Sequence, residues 1–234
     1  LILAYPLFSK GMFMDGTIYA AVASNLSSGD GSLWNLKFNE VLMNPFYEHP
    51  PLAIWLESVF HLAFNDSFLS ERLYSLLMWG VNGGLLVALW KELKPGSKIG
   101  WIPLLLWICI PLVTWSFSNN ILENTMGVFV TASVLFFLKG LKDKPALWNT
   151  LSGIMLALAF LTKGFVGLFP FALPLLYMLF FFNERSFGKH VLGGLTMLLG
   201  FALILLLFTL STDGLNYLRT YWDHQVVNSI EQVQ

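Results

Sequence analysis

Five short stretches carry ionisable side chains in a sequence that is otherwise poor in them. Asp15 stands in Met14-Asp15-Gly16-Thr17-Ile18-Tyr19, Glu48 and His49 in Phe46-Tyr47-Glu48-His49-Pro50-Pro51, and Glu123 in Asn119-Asn120-Ile121-Leu122-Glu123. Lys163 lies in Leu161-Thr162-Lys163-Gly164-Phe165, and Asp223 and His224 in Tyr221-Trp222-Asp223-His224-Gln225. A rigidly held carboxylate is a candidate general base, and Asp15 suits that role as well as that of a helix N-cap. Glu48 and His49, pinned by two prolines, could hold a phosphate or a metal, although one His beside one Glu is a weak metal pattern. Asn120 and Glu123 have capping-box spacing, yet a carboxylate at the edge of an apolar run calls for a partner. Lys163 suits the C-terminus of a helix, and a cation beside Asp15 and Glu123 would match an anionic lipid phosphate. Arg72 either caps its helix together with Glu71 or joins those cations. Asp223-His224 reads by itself as a wet loop with aromatic anchors. No phosphate-cradling glycine loop, HExxH, CxxC or serine elbow is present, so a soluble nucleotide is not the expected donor of any transferred group.

The elements that must position these residues are membrane helices. The chain has 234 residues, 56% of them hydrophobic and 12% charged, and a mean hydropathy of +0.66. Soluble domains carry about 25% charged residues, so a soluble globular fold is excluded. The abundance of Phe, Trp and Leu excludes disorder. With 13 basic against 14 acidic residues, no nucleic-acid footprint is expected. The single Cys109 allows no internal disulfide.

Six runs reach the roughly 17–25 residues a spanning helix needs: Leu73–Trp90, Ile99–Phe117, Ile121–Leu138, Ala146–Thr162, Phe165–Phe182 and Val191–Leu210. Helices are expected because open sheet edges are not tolerated in lipid. Lys91, Lys94, Lys98, Lys139, Lys142, Lys144, Arg185 and Lys189, eight of the 13 basic residues, fall in three connections that should therefore be cytoplasmic. The opposite face then holds residues 9–72, 118–120, 163–164 and 211–234, and with them every stretch described above. Leu52–Phe64 is too short to span and contains Glu57 and His61; if it crossed, every later helix would invert. It is read as a helix on the outer surface, as are Gly16–Ser27 and Leu215–Val227. The fold class is thus all-α, a polytopic helical membrane protein with amphipathic juxtamembrane helices in its first outer loop. The whole of 1–234 forms one membrane domain: an outer loop at 9–72, six spans over 73–210 and a second outer loop at 211–234. Leu1–Phe8 reads as the last turns of an earlier span, and the polar end at Asn228–Gln234 has no closing feature. Both suggest a fragment of a longer chain.

In the order of these motifs the chain resembles the membrane glycosyltransferases of the type C fold, in particular the bacterial branch that includes the lipid A aminoarabinose transferase and relatives of the protein O-mannosyltransferases. The likeness runs through Asp15-Gly-Thr-Ile-Tyr19-Ala with Leu26 and Gly29-Asp30, Phe46-Tyr-Glu48-His49-Pro-Pro-Leu, Glu71-Arg72-Leu-Tyr-Ser, Leu122-Glu123, Thr162-Lys163-Gly164-Phe165 and Asp223-His224. The resemblance implies an inverting transfer of a sugar from a polyprenyl-phosphate donor to a hydroxyl on lipid A, a glycan or a protein, at the periplasmic face of the inner membrane. It places Asp15 as the catalytic carboxylate and Glu123 as the second acidic position. His49 stands where the aminoarabinose transferase has a lysine facing the lipid phosphate, and Glu48 and His224 match positions resembling its metal contacts. Tyr19 and Asp223 belong to the same motifs. In this reading Lys163, His49 and Arg72 bind the donor phosphate, membrane lipids are partners and nucleic acid is not. No cofactor is required, because Lys and His can match a monophosphate leaving group; a structural zinc at Glu48 and His224 is the one metal the likeness suggests. The alternatives are a lipid-linked sugar flippase or other transporter, to which Pro170 and Pro174 would lend a broken helix, and a non-catalytic scaffold.

Overall fold

The computed structural model describes residues 11–64, 67–181 and 187–227. The expected end of an earlier span at Leu1–Phe8 and the polar tail from Asn228 lie outside them. Helices dominate: α1 (Met14–Ser28), α2 (Leu52–Phe64), α3 (Ser67–Leu93), α4 (Trp101–Ile108), α5 (Pro111–Ser118), α6 (Leu122–Lys142), α7 (Pro145–Lys163), a 3-10 helix (Gly164–Ala172), α8 (Leu173–Phe180), α9 (Phe187–Thr209) and α10 (Thr212–Tyr221), which runs into a π-helical turn (Trp222–Val227).

Among the described residues, four helical runs are long and apolar enough to cross a membrane: Leu69–Leu93, Leu122–Lys142, Pro145–Phe180 and His190–Thr209. The expected uninterrupted span Ile99–Phe117 is instead a broken pair, α4 and α5, bent by 72°. The cause is in the sequence. Pro111 has no N–H to continue the ladder of α4, so it opens a second helix instead, at its first position. The run Pro145–Phe180 is not straight. It reverses at Gly164, whose φ is +72°. Beyond the reversal, Phe165 stacks edge-on against Phe160, with ring centroids 5.2 Å apart. Farther on, Tyr177 reaches Phe137 near the far end of α6. The 3-10 helix therefore runs back beside α7, with Gly167 against Ala159, and α8 continues in that direction beside α9; Pro170 lies inside the 3-10 stretch.

The bundle is tied across its apolar interior by small and polar contacts, as expected where lipid supplies no hydrophobic drive between helices. The Ser133 and Ser152 hydroxyls pair at 2.8 Å between α6 and α7, and the Tyr74 and Thr125 hydroxyls at 2.6 Å between α3 and α6. At the lysine-rich end Lys142 bridges to Glu92 at 2.7 Å, and Lys139 sits 4.7 Å over the Trp148 ring.

The short helix α2 has the bounds expected from sequence, and its burial pattern is inverted relative to a soluble helix. Ala53, Ile54, Glu57, Ser58 and His61 face the protein, while Val59, Leu62 and Phe64 are exposed. The polar residues that argue against its crossing are thus the ones it turns inward, leaving an apolar face free, as befits a helix lying at a lipid surface.

Candidate functional site

Helices α6 and α7 are antiparallel neighbours, so the first turn of one lies beside the last turn of the other. Glu123 in the first turn of α6 and Lys163 in the last turn of α7 meet there as an ion pair. Lys163 is held at this spot by the reversal that follows it. A Cβ on Gly164 would meet the Tyr221 hydroxyl, which would have to shift, and the residue's φ of +72° favours glycine.

Asp15 reaches the same end through α1. The structure corrects the expectation that it caps this helix: Phe13 occupies the N-cap position, and Asp15 lies in the first turn. What fixes α1 is the turn between α5 and α6. The Phe13 N–H donates to Asn119 Oδ1 at 2.6 Å, and a Cβ on Gly16 would come within 1.8 Å of the Asn119 carbonyl oxygen. Backbone thus packs directly on backbone, one residue from Asp15 and four from Glu123.

The loop carrying Glu48 and His49 closes the cluster. The Tyr217 hydroxyl, on α10, donates to the carbonyl oxygens of Phe46 and His49 at 3.0 and 3.1 Å. The Tyr19 ring, on α1, stands edge-on to His49 at 5.7 Å. Electrostatics report the same convergence. Burial raises the Tyr19 phenol, and the charges of Asp15, Glu123 and Glu48 push it up further. Burial and Asp15 both raise the Glu48 carboxyl. Burial and the neighbouring Lys163 lower His49 to about 4, against a smaller opposing effect of Glu123. His49 is therefore neutral near pH 7. Among the described residues, Asp15, Tyr19, Glu48, His49, Glu123 and Lys163 thus lie near one another at one end of the bundle, the acids beside Lys163.

The remaining sequence candidates behave differently. Arg72 is 2% exposed, and its guanidinium donates to the Ser118 carbonyl and, at 2.7 Å, to that of Gly11. These bonds hold the end of α5 against the start of α1. Asp223 and His224 are exposed on the π-helical turn. Among the described residues no group of three or more His, Cys, Asp or Glu side chains stands together to hold a metal ion. Asn120 does not form a capping box with Glu123. Ile121 is the N-cap of α6 without a side-chain bond, and Asn120, at φ +49°, sends its amide to Glu57 Oε1 at 2.6 Å. Glu57, His61, Asn120 and Tyr217 were not among the sequence candidates. The available signal was the i,i+4 spacing of Glu57 and His61 inside an apolar helix. An apolar cleft of about 320 Å³ lies past Lys163, lined by Phe160, Phe165, Leu215, Leu218, Tyr221 and Trp222 with Arg219 at its rim.

Fold and site together define a multi-pass helical membrane protein of the type C glycosyltransferase fold. The crystal structure of ArnT from Cupriavidus metallidurans bound to undecaprenyl phosphate aligns with a TM-score of 0.71 at 20% identity, over 86% of this chain and 38% of that one. The apo state of the same protein gives 0.70 at 19%. The chain belongs to the dolichyl-phosphate-mannose-protein mannosyltransferase family, whose sequence pattern matches residues 48–209. Curated relatives include the undecaprenyl phosphate-alpha-4-amino-4-deoxy-L-arabinose arabinosyl transferase 2 of Proteus mirabilis, 25% identical over 88% of this chain and 37% of its own length. The protein of the same name from Pseudomonas fluorescens is 26% identical over 83% of this chain and 33% of its own. The chain therefore spans about a third of the length of the relatives it matches.

Proposed function

We propose that the protein transfers a sugar from a polyprenyl-phosphate donor to a hydroxyl of a lipid, glycan or protein, at the outward face of the inner membrane, with inversion at the anomeric carbon. The observation that carries this reading is the meeting of Glu123, Lys163 and the Asp15 helix at one end of an apolar bundle. The names of the relatives support the donor class. Orientation follows the lysine-rich connections at the opposite end.

In this reaction the acceptor oxygen bonds to the anomeric carbon as the bond from that carbon to the phosphate oxygen breaks. Asp15 takes the hydroxyl proton, and the polyprenyl phosphate departs with the electron pair. Lys163 meets the charge growing on that phosphate, which competes with Glu123 for the ammonium; preorganised cations act in this way at other developing anions. Neutral His49 offers a hydrogen bond beside it. Glu123, released from part of its ion pair, orients donor or acceptor hydroxyls. The apolar face of α2 and the cleft past Lys163 suit a prenyl chain arriving sideways from the bilayer.

The test is transfer of radiolabelled sugar from undecaprenyl-phosphate sugars by the intact protein in proteoliposomes. Transfer that is lost in Asp15→Asn supports the assignment. Movement of the lipid-linked sugar between leaflets without transfer overturns it in favour of a flippase.

A further inference from the structure

The last turn of α5 and the turn joining it to α6 leave carbonyls and side chains without a helical partner, so these must find partners elsewhere. They find them on three helices. Ser75 of α3 donates to the Phe117 carbonyl at 2.6 Å, Arg72 of α3 donates to Ser118, and Asn124 of α6 donates to Ser116 at 2.9 Å. From α2 comes a carboxylate: Glu57, 1% exposed, accepts the amide of Asn120, itself 4% exposed. His61 Nε2 lies 3.8 Å from the same Glu57 oxygen, one turn along α2. Asn120 needs this outside partner because its amide is buried, and a buried polar group without a hydrogen bond is costly; its backbone, at φ +49°, lies in the left-handed region that Asn tolerates. Its neighbour Asn119 is the residue on which α1 rests, through Phe13 and Gly16, and Glu123 follows in the first turn of α6.

We infer that Glu57 is a positioning residue for the transfer: its buried carboxylate, through Asn120, sets the turn that fixes where Asp15 and Glu123 stand relative to each other. The inference rests on the proposed glycosyl transfer for its kinetic consequence but not for its structural one. Glu57 touches neither reacting group. It governs the spacing of two that do, and a misplacement of about 1 Å is enough to cost about a hundredfold in rate.

The intact protein in proteoliposomes is compared as wild type, Glu57→Leu, Asn120→Ala, their double variant and Glu57→Gln. Both single substitutions are expected to lower kcat by roughly ten- to a hundredfold while the donor KM moves little. The double variant is expected to be no slower than either single, since both break one linkage. Glu57→Gln keeps an oxygen that accepts from Asn120 and is expected to recover most of kcat. Hydrogen exchange of the 116–124 amides supplies the second readout: faster in Glu57→Leu and Asn120→Ala, near wild type in Glu57→Gln. Should Glu57→Leu fail to fold, Asn120→Ala and Glu57→Gln decide the matter between them. Additive losses in the double variant, or unchanged protection of 116–124 when the linkage is cut, overturn the inference. If the wild type transfers no sugar, the proposed function falls, and the exchange measurement alone decides the positioning role.

Discussion

Lys163, at the last turn of α7, is ion-paired with Glu123, at the first turn of α6. The pairing follows from two antiparallel helices of similar length, and it places a cation where the acids would otherwise repel unopposed. Replacing Lys163 with methionine should raise the donor KM by about ten- to a hundredfold, the worth of a charged hydrogen bond. Lys163→Arg should recover part of the loss. Donor titration in the transfer assay measures both.

Asp15→Asn should lower kcat by about 10²- to 10⁴-fold, the usual contribution of a positioned general base. Because Asp15 is not the cap of α1, thermal stability in detergent should stay near wild type. A large loss of stability together with activity would argue that the carboxylate supports α1 instead of the chemistry.

The pH behaviour of His49 has a definite sign. Its folded value of about 4 lies below the ordinary 6.5, so the unfolded chain takes up this proton first as pH falls. The residue's effect on stability is therefore absent above about pH 6.5 and becomes a growing loss as pH drops from there through about 4. His49→Gln should flatten the unfolding-midpoint curve over that window. Melting of the purified protein between pH 4 and 7 checks it, and an unchanged slope would mean that His49 is not held neutral.

Tyr217→Phe should leave two carbonyl oxygens of the Phe46–His49 loop without their donor. A cost of about 1–3 kcal/mol is expected for buried acceptors left unpaired, together with a loss of donor affinity as Glu48 and His49 loosen. Thermal denaturation and donor KM read the two effects separately.

Gly16→Ala tests the seat of α1. The added methyl would overlap the Asn119 carbonyl, so α1 must shift away from the α5–α6 turn. A stability cost of about 1–3 kcal/mol is expected for such overpacking, with a fall in kcat larger than that of Tyr217→Phe, because the shift moves Asp15 itself.

The membrane class, the bounds of α2 and the placing of Asp15, Glu48, His49, Glu123 and Lys163 toward one end were legible in the residues alone. This is so because hydropathy, helical period and lysine placement are local quantities that lipid enforces strongly. The sequence did not disclose the break at Pro111 within an apolar run of the right length, because hydropathy is blind to a missing N–H. Nor did it disclose the two backbone carbonyls that Arg72 meets, because its charge suits them as well as it suits the phosphate expected for it. That Asn120 serves Glu57 and not the cap of α6, that Tyr217 pins the Glu48–His49 loop, and that α1 rests on Asn119 emerges when the helices are packed together. Each of these is a hydrogen bond or close approach between segments distant in the chain, and polar side chains choose such partners only when the packed helices bring them within reach.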